Sequence, residues 1–260
     1  MSIIKKKIEL INNKNEKALT VFLTSGFPSV NIFVELALKI IEAGADILEI
    51  GLPFGDSLAD GPVIQSSYTE ALKNNVNLKL TFELINRIRE KTDIPLILMS
   101  SANPILHYGK TKFVKDSIKA GINGVIIPDV PIEEYDDFYE NIFTGLDTIM
   151  LTTPTSTEER IKEIDKKSNG FLYCVSVAGT TGIRNKFDSA VLQNLERTYK
   201  LAANKMQIGF GISSPQDVKT FSPYCDGVIV GSAVIKTLTN NKNDFSDTIE
   251  LVKKLKSACK

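Results

Sequence analysis

The sequence predicts an α/β fold: a single (β/α)8 TIM barrel with an extra N-terminal helix, one domain over residues 1–260. Three observations carry this prediction. Eight short apolar runs alternate with segments of helical period, the pattern of parallel strands joined by crossover helices. The runs are apolar nearly throughout, as strands buried on both faces are. The 260-residue length suits one such barrel, for which roughly 250 residues is typical. A doubly wound open sheet is the structural rival. Against it, eight units fill the chain, and no Gly-x-Gly-x-x-Gly follows a strand to mark a nucleotide-binding switch point.

The elements follow in order. "MSIIKKKIELINN" reads as a short basic amphipathic helix, without the apolar stretch or cleavage site of a signal peptide. Strands are expected at Leu19–Leu23, Ile47–Ile50, Pro95–Met99 and Gly124–Ile127, then at Thr148–Leu151, Phe171–Val175, Gln207–Phe210 and Val228–Val230. Between them, amphipathic helices are expected at Ile32–Glu42, Leu78–Glu90, Lys112–Ala120 and Ile132–Asn141. Thr157–Lys167, Ser189–Ala203 and Pro215–Phe221 continue the alternation, and Asp244–Ala258 closes the chain. Ser or Thr often stands just before the first turn as a cap candidate. "EAGADILEIG" and "KAGINGVIIPD" read as two copies of one helix–glycine–strand unit, the glycine ending the helix in the left-handed region.

Composition narrows the function. With 31 basic and 31 acidic residues the formal charge is zero, so bulk electrostatics point to neither a nucleic acid nor a membrane as partner. No apolar run approaches the roughly 20 residues needed to span a bilayer. Cys174, Cys225 and Cys259 show no paired or metal-like spacing, which fits a reduced, cytoplasmic location. His107 is the only histidine, so a multi-histidine metal site is excluded and no metal is expected. Acid–base chemistry therefore falls to carboxylates.

Glu49 interrupts the apolar run "ILEI", and side-chain alternation puts it on one face with Ile47 and Gly51. Near the C-terminal end of a barrel strand, where such barrels keep their active sites, burial would favour its neutral form and suit it to carry a proton. A structural ion pair with a buried base is the alternative. Asp60, in "LADGP", has the chemistry of an ordinary turn as well as that of a site, and so has Asp56. Three later loops, "SVAGTTGIRN", "GFGISSP" and "VGSAVIK", place glycines after the last three strands, the last of them opening a short helix. Backbone N–H groups at such loops bind phosphate. A phosphorylated small molecule is the expected ligand, and "AGTTGIRNKF" reads as a lid with glycine hinges.

With these residues assembled, the chain resembles the α subunit family of tryptophan synthase. "LEIGLPFGDSLADGPVIQ" matches the family signature, and "IPDVPIEE", "YCVSVAGTTG", "GFGIS" and "VGSA" follow in the expected order. The resemblance runs from "TSGFPS" to "VGSAVIK", nearly the whole chain. It implies a (β/α)8 barrel that cleaves indole-3-glycerol phosphate to indole and glyceraldehyde 3-phosphate. It further implies Glu49 as proton shuttle and Asp60 as acceptor for the indole N–H. Phe210 and Ile212 would pack on the indole, and backbone amides at Gly182, Gly211, Gly231 and Ser232 would hold the phosphate. Tyr173 and Thr181 match family positions near Glu49 and in the lid. Asp56 and Ser57 fall where the family faces its β subunit, in an α2β2 complex whose pyridoxal phosphate sits in β, leaving this chain without a cofactor.

Departures from the pattern are few. Ser57 stands where the family often has proline, Ser101 and Ala102 where a tyrosine usually precedes Asn-Pro, and Thr180 in place of valine in the lid. His107 and Tyr108 read as loop or interface packing. A stand-alone lyase releasing free indole, a barrel kept mainly as allosteric activator and a sugar-phosphate isomerase are the competing functions. Retention of both Glu49 and Asp60 argues against the activator.

Overall fold

All eight apolar runs become strands, and one of them is broken. A computed structural model describes every residue except 1, 58–59, 140, 177–188 and 243. In it β1 (Ala18–Thr24), β2 (Ile47–Gly51), β3 (Leu96–Met99), β4 (Gly124–Ile126) and β5 (Asp147–Ile149) are followed by β6 (Leu151–Thr152), β7 (Leu172–Val175), β8 (Met206–Gly209) and β9 (Gly227–Val230). All pairings are parallel, in the order β5-β4-β3-β2-β1-β9-β8-β7-β6. β5 and β6 are the two halves of the strand expected at Thr148–Leu151, interrupted at Met150. One half pairs with β4 and the other with β7, and the Met150 carbonyl accepts the Tyr173 N–H at 3.0 Å. The sheet thus closes on itself through the chain, as an eight-stranded barrel.

The helices among the described residues are α1 (Ile3–Asn12), α2 (Val30–Glu42), α3 (Pro62–Lys73), α4 (Leu78–Arg89), α5 (Ala102–Tyr108) and α6 (Lys110–Ala120). They continue with α7 (Tyr135–Tyr139), α8 (Glu158–Lys167), α9 (Ser189–Leu201), α10 (Pro215–Phe221), α11 (Ser232–Asn240) and α12 (Ser246–Ala258). Two, α3 and α5, lie outside the expected set. The expected helix over Ile132–Asn141 is shorter, a 3-10 turn at Ile132–Glu134 running into α7. Cap residues behave as their chemistry requires. Ser2 and Thr157 accept the N–H groups of Lys5 and Arg160 at 2.9 and 3.3 Å, and Gly121 ends α6 at φ +86°.

Alternation divides the barrel's apolar residues into two cores. Leu19, Val21, Leu23, Leu48, Ile50, Leu96 and Leu98 point outward and pack with Phe33, Leu36, Ile85 and other helix residues. Ala18, Ile47, Ile97, Ile126, Ile149, Phe171 and Ile229 point inward. There they meet Ile4, Ile8 and Ile11 of α1, spaced to share one helical face. A Cβ on Gly124, the first residue of β4, would lie 2.7 Å from Ile4 Cδ1, so α1 closes the N-terminal end of the barrel. The open end is the other one.

Candidate active site

β2 carries Glu49 to that open end. Its neighbour in the strand, Ile47, belongs to the closed interior, and two residues further along the same face the carboxyl emerges at the pocket. Glu49 is 2% exposed, and its Oε2 is buried without a hydrogen-bond partner among the described residues. Among the described residues no lysine or arginine lines the pocket with it, so none of them holds it in a structural ion pair. Burial first, and the nearby charge of Asp60 second, push its pKa up to about 8; at neutral pH the group is mostly the neutral acid.

Asp60 comes from the loop between β2 and α3 and is 5% exposed. Burial raises its pKa, and a hydrogen bond from Ser57 opposes that shift. The loop is pinned from α3, where Gln65 Nε2 donates to the carbonyls of Ser57 and Asp60, each at 2.9 Å. Tyr68, on the same helix, and Tyr173, on β7, lie within electrostatic reach of both carboxylates. Burial first holds their phenols well above the usual range, so both remain neutral hydroxyls.

Two glycines make room for this cluster. A Cβ on Gly51 would stand 2.5 Å from Phe22 Cζ and 2.7 Å from Tyr68 Oη, and one on Gly209 only 2.0 Å from Tyr173 Oη. The tyrosine ring can cross the barrel mouth only because β8 has no side chain there. Phe210 follows with φ +71°, an unusual conformation for an aromatic residue. It presents its ring edge-to-face to Tyr173, with centroids 6.2 Å apart. Ser176 fixes that turn, its hydroxyl donating to the Phe210 carbonyl at 2.7 Å.

The resulting pocket opens at the barrel mouth. Phe22, Met99, Ile126, Leu151, Phe210, Ile212 and Ile229 give it apolar walls around Glu49 and Asp60, a surface suited to a flat aromatic ring. On one side the rim is Gly211, Gly231 and Ser232. Gly231 precedes α11, whose N-terminus has no side-chain cap, so its unpaired N–H groups are available to an anion. The N-terminus of α10 is occupied. Asp217 Oδ2 accepts the Ser213 and Ser214 N–H groups at 2.9 and 2.8 Å, and Ser214 caps Asp217 in return. Of the two glycine loops that lead into helices, α11 offers the freer anion site.

Eight of the residues singled out in the sequence are thus brought to one mouth: Glu49, Asp60, Tyr173, Phe210, Gly211, Ile212, Gly231 and Ser232. Thr181, Gly182 and the lid segment "AGTTGIRNKF" lie outside the described residues. Asp56 is exposed, whereas Ser57 is buried and turned inward to Asp60. Sequence reasoning missed Phe22 and Tyr68. Alternation along β1 would have put Phe22 on the inner face with Thr20 and Thr24, and Pro62 at the first helical position would have announced α3 and its buried Ile64, Tyr68 and Ala71. Elsewhere, His107 is exposed on α5, and the three cysteines are buried and free. Among the described residues no cluster of three or more His, Cys, Asp or Glu could hold a metal, and no helix is long and apolar enough to cross a membrane.

Comparison with known proteins meets this geometry. A family profile described as tryptophan synthase alpha chain matches residues 8–260. The tryptophan synthase alpha chain of Petrotoga mobilis is 43% identical over 248 residues, 95% of this chain and 96% of the relative. That of a Thermoanaerobacter species is 40% identical over 261 residues, covering 100% and 99%. Among solved structures, the tryptophan synthase subunit alpha of Legionella pneumophila superposes with a TM-score of 0.88 at 31% identity, covering 100% of this chain and 98% of that one. An aminoacrylate-bound tryptophan synthase from M. tuberculosis gives 0.88 at 28% identity, covering 100% of both. The chain belongs to the tryptophan synthase alpha chain family, the lyases that cleave indole-3-glycerol phosphate in tryptophan biosynthesis.

Proposed function

We propose that Glu49 and Asp60 carry out this cleavage, Glu49 moving the protons and Asp60 answering the charge on the indole ring. The carbon–carbon bond to be broken joins indole C3 to a carbon bearing a hydroxyl. Breaking it needs a proton on C3 and the loss of one from that hydroxyl, which becomes the aldehyde of glyceraldehyde 3-phosphate. A neutral Glu49 can give its proton to C3, then as carboxylate take the hydroxyl proton, returning to its starting state with no net proton consumed. Its burial, with Oε2 unpartnered among the described residues, supports this reading, since no described neighbour competes there for the proton. Protonating C3 leaves positive charge on the ring. A carboxylate at Asp60 that accepts the ring N–H becomes most favourable at that moment, which is how an electrostatic group lowers a barrier.

In this reading the apolar walls hold the indole, with Phe210 and Ile212 against it. The amides of Gly211, Gly231 and Ser232 hold the phosphate, assisted by the N-terminus of α11, and Gly182 and Thr181 complete the site from the lid. Tyr173 stands beside Glu49 as a neutral hydroxyl. The chain works with a β subunit, and Asp56 and Ser57 belong to the loop facing it, in an α2β2 assembly. Pyridoxal phosphate belongs to β. The site of action is the cytoplasm.

Indole release from indole-3-glycerol phosphate, measured with and without β subunit, tests the reading. Glu49→Gln should lower kcat by about a thousandfold or more while leaving substrate affinity within a fewfold of wild type. Appreciable turnover by that variant would remove Glu49 from the role.

A further inference from the structure

Asp60 is placed by a loop, and a loop carboxylate that must meet one atom of a ligand needs its own supports. Gln65 fixes the backbone at both Ser57 and Asp60. Only one side chain among the described residues reaches the carboxylate itself: Ser57 Oγ donates to Asp60 Oδ2. Both residues are buried, at 8% and 5% exposure. No described residue donates a hydrogen bond to Oδ1. Among the described residues the other ionisable groups facing Asp60 are Glu49 of β2, Tyr68 of α3 and Tyr173 of β7, none of them cationic. Among the described residues Ser57 is therefore the contact that favours the charged form of Asp60, against the burial that disfavours it.

We propose that Ser57 is a positioning residue of the lyase site: its hydroxyl ties down one oxygen of Asp60 and so aims the other into the pocket to accept the substrate N–H. This rests on the role given to Asp60 above. A hydroxyl that only held the loop together would matter equally whether residue 60 were charged or neutral. One that acts through the carboxylate loses its effect when the carboxylate is gone. Its removal also raises the pKa of Asp60, so the acid limb of the pH profile, below which Asp60 is protonated, moves upward.

The test is a cycle of kcat/KM against pH for indole release by the chain with its β subunit, in wild type, Ser57→Ala, Ser57→Thr, Asp60→Asn and the Ser57→Ala/Asp60→Asn double variant. Ser57→Ala should lose about tenfold, the lower end of what a hydrogen bond to a charged group is worth, and its acid limb should rise by about one pH unit. Ser57→Thr, which keeps the hydroxyl, should restore both. In the Asp60→Asn background Ser57→Ala should cost nothing further. Ser57→Gly removes the same hydroxyl and replaces Ser57→Ala if that variant does not fold. Wild-type kinetics in the hydroxyl-less variant, or the same fold loss with and without the Asp60 carboxylate, would overturn the proposal. If wild type itself releases no indole, it is the lyase reading beneath the proposal that fails, and the two failures are thereby told apart.

Discussion

The two ends of the barrel are built from the same strands and differ in what those strands point inward. At the N-terminal end the inner residues are almost all isoleucine, alanine or phenylalanine, and α1 seals them with three more isoleucines. A few ångströms further along the same strands stand Glu49, Tyr173, Phe22 and the space-making glycines. The closed end is packed chiefly by apolar side chains, with Thr20 donating to Gln207 Oε1 at 2.8 Å among them. The open end keeps a buried carboxyl oxygen that has no partner among the described residues, and an aromatic residue at positive φ, both of which cost stability. Stability and reactivity are separated along the strand axis by one turn of side-chain alternation.

The comparison can be sharpened first at Glu49. Its pKa, raised from 4.5 to about 8 in the folded chain, means that the folded state binds a proton which the unfolded state releases between those values. Stability contributed by the neutral form is full below about pH 4.5 and lost as pH rises through about 8. Glu49→Gln, which cannot ionise, should therefore gain on wild type by about 1.4 kcal/mol for each pH unit across that window, as urea unfolding at stepped pH would read. Parallel pH curves for the two proteins would show that Glu49 is not held neutral. Next, Ile8→Ala at the closed end should cost about 2–5 kcal/mol through the cavity it leaves, with kcat for indole release near wild type in the folded fraction. A large fall in kcat would contradict the division between the ends. The smallest effect is expected at Gly209→Ala, where the added methyl collides with the Tyr173 hydroxyl. It should cost about 1–3 kcal/mol as overpacking and raise KM, because the tyrosine must leave the mouth. Unchanged stability and KM would mean that the ring is not confined by β8.

How much of this was legible in the sequence follows the same axis. The strands were legible because burial on both faces leaves an unbroken apolar run. Glu49 was legible because it breaks one. The interruption at Met150 was not, since Thr148–Leu151 reads as one continuous strand and only the pairing to β4 and β7 divides it. α5 was hidden by Pro104, which falls within its first turn and reads as a loop residue. α3 was hidden by its modest amphipathicity and by the turn chemistry of the preceding Asp-Gly-Pro, and Tyr68 was hidden with it. Ser57 illustrates a further limit. Its position in the loop was visible, but a hydrogen bond from Ser57 to Asp60 depends on which way a loop side chain turns, and no periodicity governs that.

The seal made by α1 has one more consequence. A barrel plugged at its base by Ile4, Ile8 and Ile11 is a blind tube, so nothing can be passed through it from end to end. Substrate and both products share a single doorway, and the indole must leave past the ground its parent entered by. Whatever collects that indole has to wait on the threshold, at the open rim.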